Sequence, residues 1–311
     1  MQRSIVVVAA GLCLCGCATG RAGSTDDMPD AEWARVRWET ETGFRGSYAL
    51  LAPDDSVRGL VLLVGAPGDA GLPVLLRQRG IATVQPDIRP WTMFLRREEI
   101  EGLGAVVDHA AGRLGVPSIS VVAGGISLGG TGAVRYTEEC LIRGCGRAAP
   151  AAVFAVDAPL DMRRLWDATN TMAAWGAEEG NLPEAVVVLE RLAVALGGPP
   201  SAAPAAYLGS SAFAYTDRRG GNARVLVDTP VRLYIEPDMD YWIGERRYDY
   251  YTINAFDAAA MVNRLLILGN TRAELIVTSG KGYRPDGTRN PHSWSIVDEP
   301  ELADWIVRQL R

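Results

Sequence analysis

Lysine is almost missing from this chain. Of 31 cationic side chains, only Lys281 is a lysine, and there are only two histidines. His109 and His292 are too far apart to suggest a His-rich metal site, and no His-Glu-x-x-His pair exists. Lys281 sits in a loop and reads as a surface residue, which disfavours a Ser–Lys pair. The glycine-rich stretch "GAPGDAG" lacks the Lys-Ser/Thr of a phosphate-binding loop and the G-x-G-x-x-G spacing of a dinucleotide site. A formal net charge of −6 gives no reason to expect a nucleic-acid partner. No metal, no cofactor and no nucleic acid are therefore expected.

Long apolar runs are also scarce. "IVVVAAGLCL" near the N-terminus has signal-peptide length and is too short to span a bilayer comfortably. It leads into Leu14-Cys15-Gly16-Cys17, which resembles a bacterial lipobox. The resemblance implies a signal over residues 1–17, with Cys17 lipidated by acyl chains of the palmitate type. A polar tether over 18–32 would follow, and the main domain would occupy 33–311. The expected location is the cell envelope, exported and anchored to a membrane. Three of the five cysteines belong to that signal. The other two, Cys140 and Cys145, are compatible with a local disulfide or with two free thiols. A bridge requires the intervening helix to end between them.

What is abundant is alternation. "VRGLVLLVG", "IATVQPDI", "ISVVA", "AAVFAVDAP", "PVRLYIE" and "AELIVTS" read as strands, and amphipathic segments separate them. Ile100, Leu103, Val107, Ala110 and Leu114 share one helical stripe, which places His109 on the opposite, solvated face. The pattern predicts the α/β class, with a mostly parallel central sheet flanked by helices. The alternation stops over 162–225, which reads as a helical cap insertion with a loop-like end, "SAAPAAYLGSSAFAYTDRRGGN". The last helix is expected to start at Asp298, with Pro300 in its first turn.

In "ISVVAGGISLGGTGAV", a strand meets a helix at Gly125-Ile126-Ser127-Leu128-Gly129. A G-x-S-x-G here describes a sharp turn that lifts a serine hydroxyl clear of the sheet, with glycines removing Cβ atoms that would collide. With this motif and this strand order, residues 35–311 resemble an α/β-hydrolase. The resemblance implies the chain order nucleophile, acid, base. Ser127 takes the first role and His292, between the last strand and the last helix, takes the third. For the acid, the loop "EPDMDYW" after "PVRLYIE" offers Asp238 and Asp240, with Asp238 favoured. Asp157, at the end of the preceding strand, is a third candidate behind them. The oxyanion would be held by the backbone N–H groups of Leu128 and Ala66.

The resemblance implies a serine hydrolase that cleaves a carboxylic ester or related acyl bond of a small-molecule or acyl substrate. A peptidase of the same fold and a non-catalytic binding module remain alternatives. Trp166, Trp175, Tyr215 and Trp242 are candidates for an apolar pocket or for core. Cys17→Ala is expected to move the protein from the detergent phase to the aqueous phase of a Triton X-114 partition. Wild-type protein in the aqueous phase would refute the anchor.

Overall fold

The computed structural model describes residues 33–39, 45–89, 92–179, 183–284 and 286–310. The signal, Cys17 and the tether lie outside them. Among the described residues, eight strands form one sheet: β1 (Ala34–Glu39), β2 (Arg45–Leu51), β3 (Gly59–Val64), β4 (Ile81–Pro86), β5 (Ile119–Ile126), β6 (Ala148–Val156), β7 (Val231–Ile235) and β8 (Ala273–Val277). Their spatial order is β1-β2-β4-β3-β5-β6-β7-β8. β2 runs antiparallel to both its neighbours, and from β4 to β8 all pairings are parallel.

β3 shows why helices must cover both faces. Its apolar side chains alternate in direction. Leu60, Leu62 and Val64 enter one core, and Val61 and Leu63 enter the other. The first core is closed by α2 (Arg97–Arg113), α3 (Leu128–Arg143) and α8 (Ala255–Ile267). The second is closed by α1 (Leu72–Arg77) and α9 (Glu299–Gln309). Asp298 caps α9 by accepting from the Glu301 N–H at 3.1 Å, and Pro300 lies in the first turn, as the sequence predicts.

Between β6 and β7 lie α4 (Met162–Glu179), α5 (Pro183–Leu196), α6 (Pro204–Ser210) and a 3-10 turn, Gly221–Leu226. The stretch read as loop-like thus contains α6, which Pro204 opens at a position where its missing N–H is no loss. A third apolar cluster joins Met162, Leu192, Leu196 and Tyr207 of this segment to Met93 and Leu95, and Leu128 packs against it. After β7 comes a single helical turn, α7 (Met239–Tyr241).

His109 departs from the helix-periodicity expectation. Its ring stacks on Trp38 at 4.5 Å and its Nδ1 lies 2.9 Å from the Tyr48 hydroxyl. Strands β1 and β2 cover the helix face that α2's own stripe leaves open. Burial, with Arg113 as the lesser cause, lowers the imidazole pKa. Cys140 and Cys145 form a disulfide with Cα atoms 4.9 Å apart. The geometric requirement is met because α3 ends at Arg143 and Gly144 turns at φ 81°.

The turn from β5 into α3 depends on two glycines. A Cβ at Gly125 or at Gly129 would lie 2.2 Å from the Val64 carbonyl oxygen. Alanine normally favours a helix over glycine by about 1 kcal/mol, so a loss at Gly129 would measure the clash. Gly129→Ala is expected to destabilise by about 2 kcal/mol or more in denaturant unfolding. A neutral or stabilising result would contradict this packing.

Glu138 on α3 is fully buried, 2.8 Å from the guanidinium of the buried Arg135. Desolvation outweighs Arg135 and raises its pKa from 4.5 to about 8. Between those values the folded chain holds a proton that the unfolded chain has released. Stability from this group is therefore full below about 4.5 and is lost as pH rises towards about 8. Glu138→Gln is expected to match wild type near pH 5 and to flatten the decline in Tm towards pH 8. An unchanged slope would exclude Glu138 as its source.

Candidate active site

Ser127 has φ 54° and ψ −132°, a conformation that side-chain-bearing residues avoid. It is held there from both sides: its N–H donates to the Val156 carbonyl at 2.9 Å, and its own carbonyl accepts from the Thr131 N–H at 3.1 Å. The side chain is thereby thrust out at the carboxyl edge of the sheet, one residue beyond β5. The first N–H groups of α3, starting at Leu128, have no acceptor within the helix. The Gly65–Ala66 turn packs against this corner: Gly65 has φ 72°, and a Cβ on Gly129 would come within 3.2 Å of the Gly65 nitrogen.

His292 reaches this corner from the loop between β8 and α9. Its Nε2 is 3.1 Å from Ser127 Oγ and its Nδ1 is 2.5 Å from Asp157 Oδ2. A carboxylate only accepts, so Nδ1 carries the proton and Nε2 is left to accept from the serine. The His loop is fixed by local bonds. Asn290 accepts from the His292 N–H and donates to its carbonyl, and the Asn290 N–H donates to the Gly282 carbonyl. Two residues further on, the Trp294 indole N–H donates to Glu299 at 2.6 Å. The other Glu299 oxygen accepts from the Gly71 N–H at 3.0 Å.

The carboxylate at the histidine is Asp157, and this corrects the preference for Asp238 and Asp240. Asp157 is the residue directly after β6; it is buried and has φ 42°. Asp238 is engaged elsewhere. One oxygen caps α7 by accepting from the Tyr241 N–H at 3.1 Å, and the other lies 2.6 Å from Arg289. Arg289 also binds Glu236 at 2.9 Å and the Lys281 carbonyl at 2.9 Å. Asp240 is exposed in the first turn of α7. A cleft of about 670 Å³ opens at these strand ends, lined by Glu236, Asp238, Asp240, Tyr283 and Arg289 among others.

Of the four aromatic candidates, Trp166 packs with the cluster beside Leu128 and meets Tyr207 edge-on at 6.0 Å. Trp242 is core, stacked on Tyr248 at 5.9 Å. Trp175 and Tyr215 are about half exposed, at 48% and 53%. Arg289, Asn290 and Glu299 hold the site in place, yet none belongs to a motif, so no local sequence signal marks them. Among the described residues, no group of three His, Cys, Asp or Glu side chains is placed to hold a metal ion.

No protein-family model matches the sequence, and no curated protein does. Solved structures are similar in three dimensions at low identity. Mycobacterium tuberculosis MPT51 aligns over 90% of this chain and 100% of its own, with TM-score 0.58 and 16% identity. A Pyrococcus furiosus esterase aligns over 90% of this chain and 92% of its own, with TM-score 0.53 and 14% identity. A hormone-sensitive lipase from a metagenome library aligns over 89% and 86%, with TM-score 0.51 and 11% identity. These alignments span nearly all of each partner and join the strand order, the serine turn and the histidine loop described above: the chain has the α/β-hydrolase fold.

Proposed function

We propose that this protein is a serine hydrolase acting on a carboxylic ester or a related acyl bond, with Ser127, His292 and Asp157 as its triad. The observation that carries the proposal is the hydrogen-bonded chain from Ser127 Oγ through the His292 ring to Asp157, built on a strained turn. A neutral hydroxyl is a poor nucleophile, so Nε2 removes its proton as Oγ bonds to the substrate carbonyl carbon. The carbonyl electrons move onto oxygen, where the N–H groups of Leu128 and Ala66 stabilise them. Collapse of the intermediate breaks the acyl–oxygen bond, and the imidazolium returns its proton to the leaving alcohol. Water, deprotonated by His292, then attacks the acyl-enzyme and releases the acid. Asp157 holds the tautomer and stabilises the imidazolium throughout.

The names of the esterase and lipase neighbours support the ester assignment. The apolar cluster of Met93, Leu95, Met162, Leu165 and Trp166 beside Leu128 favours an apolar group on the substrate and a specificity role for the helical insertion. The Cys140–Cys145 bridge fits an oxidising compartment. It accords with export and a Cys17 lipid anchor, which form part of the proposal.

Three substitutions test the triad. Ser127→Ala is expected to abolish labelling by a fluorophosphonate probe and to lower ester hydrolysis about a thousandfold or more. His292→Ala should be comparably damaging. Asp157→Asn should lower kcat at least about a hundredfold by favouring the wrong tautomer, while Asp240→Asn stays within about tenfold. His109→Ala should keep turnover near wild type yet lose about 1 kcal/mol or more of stability through its stack and hydrogen bond. Labelled, active Ser127→Ala protein would end the proposal. An active Asp157→Asn enzyme with a dead Asp240→Asn one would return the acid to the β7 loop.

A further inference from the structure

The acid of this site sits in backbone it would not adopt unaided. Asp157, at φ 42°, lies in the left-handed region, where side-chain-bearing residues are disfavoured and persist only if their surroundings hold them. Its N–H donates to the Tyr234 carbonyl at 2.9 Å. Its carbonyl accepts from the Asn254 side-chain amide, Nδ2, at 2.9 Å. The next peptides are held from the same helix: Asp257 Oδ2 accepts from the Leu160 N–H at 2.9 Å and from the Asp161 N–H at 3.1 Å. Asp257 is in turn bound by Arg164, the third residue of α4, at 2.8 Å, and Arg164 also donates to the Tyr251 carbonyl at 2.9 Å.

Asn254 stands at the N-cap of α8, where an asparagine ordinarily accepts from a backbone N–H of the first turn. Here it makes no side-chain cap bond, and its own backbone is already helical, at φ −66° and ψ −18°. The side chain is turned away from its helix and onto the peptide of the acid, 97 residues earlier in the chain. A residue retained for helix stability would do the opposite.

We infer that Asn254 is a positioning residue for catalysis: by holding the Asp157 carbonyl it fixes the left-handed peptide that aims the Asp157 carboxylate at His292 Nδ1. The inference rests on the triad proposed above. With Asn254 removed, that peptide relaxes and the carboxylate leaves the line of the ring nitrogen. The imidazolium loses stabilisation, so the histidine titrates at lower pH and is a weaker base in the transition state. Among the described residues, the charged groups bonded about the histidine loop include Arg289 with Glu236 and Asp238, and Glu299 under Trp294. The Asn254 side chain is bonded to the Asp157 carbonyl and not to these.

The test uses the full chain and p-nitrophenyl butyrate as probe. Asn254→Ala is expected to lower kcat about tenfold with KM within about twofold. The acid limb of its kcat/KM profile should move to lower pH by about half a unit or more. Asn254→Asp keeps the size and supplies a favourable charge for the start of α8, but it places an acceptor against a carbonyl. It should therefore keep or raise Tm while losing at least as much kcat, whereas a merely structural asparagine would tolerate it. Asn270→Ala, which removes two buried side-chain bonds at the far end of α8, should lower Tm and leave the acid limb in place. In an Asp157→Asn background, Asn254→Ala should have little further effect. An Asn254→Ala enzyme with an unmoved limb, or an Asn254→Asp enzyme with wild-type kcat, overturns the inference. If Asp157→Asn itself keeps wild-type kcat, the triad assignment has failed. If Asp157→Asn collapses while both Asn254 variants work normally, only the positioning role has failed.

Discussion

The carboxyl edge of the sheet at Ser127 depends on one hydrogen bond, from His292 Nδ1 to Asp157 Oδ2, which ties together residues 135 apart in the chain. It sets the tautomer, and with it, in the proposed reaction, the direction of proton transfer at Ser127. Sheet register makes it possible. Ile126 on β5 pairs with Val156 on β6, so the residues that follow, Ser127 and Asp157, leave the sheet side by side. Both have positive φ, and the Ser127 N–H donates to the Val156 carbonyl. The two turns are thus neighbours built against each other, and one imidazole spans them. Adjacent strands lie about 4.8 Å apart, so a carboxylate beyond β7 starts one strand further from the serine.

Much of this was legible in the sequence, and the reasons differ by residue. The strands could be read because burial on two faces demands continuous apolar runs such as Gly59–Val64. Ser127 could be read because the turn excludes Cβ atoms at Gly125 and Gly129, and those exclusions appear as letters in a motif. His292 followed from chain order and the scarcity of histidine. The acid did not follow, because chain order places carboxylates after both β6 and β7 and the choice between them is made in three dimensions. His109 was misplaced for a related reason. Helical periodicity shows which face meets the core of its own layer, and it carries no information about Trp38 and Tyr48 arriving from β1 and β2.

The loops of the site are also joined to one another beneath it. Glu299, at the start of α9, accepts from Gly71 with one oxygen and from the Trp294 indole with the other. Gly71 follows the Gly65–Ala66 turn, and Trp294 follows His292. One carboxylate therefore ties the segment after the Gly65–Ala66 turn to the loop that carries His292. A Cβ at position 71 would stand 2.7 Å from that carboxylate oxygen, so a larger residue there would have to displace the Glu299 side chain. On the far side, Asp257 and Arg164 link the acid's loop to the first turn of α4, which opens the helical insertion. The insertion is thus anchored through the same buried pair that holds the peptides after Asp157.

Choosing an acid on β6 leaves a problem at β7. Glu236 is almost wholly buried, and Asp238 stands two residues away beside the loop that carries the base. An unpaired carboxylate in that position would be expensive to bury. Arg289 meets that cost. It binds Glu236 and Asp238 together, stacks over Tyr283 at 5.2 Å, and donates to the Lys281 carbonyl. It also lies three residues before His292, so the segment that carries the histidine brings with it the cation that pairs with Glu236 and Asp238. The bonds that dock the histidine loop on the end of β7 therefore also engage Glu236 and Asp238, while His292 Nδ1–H donates to Asp157.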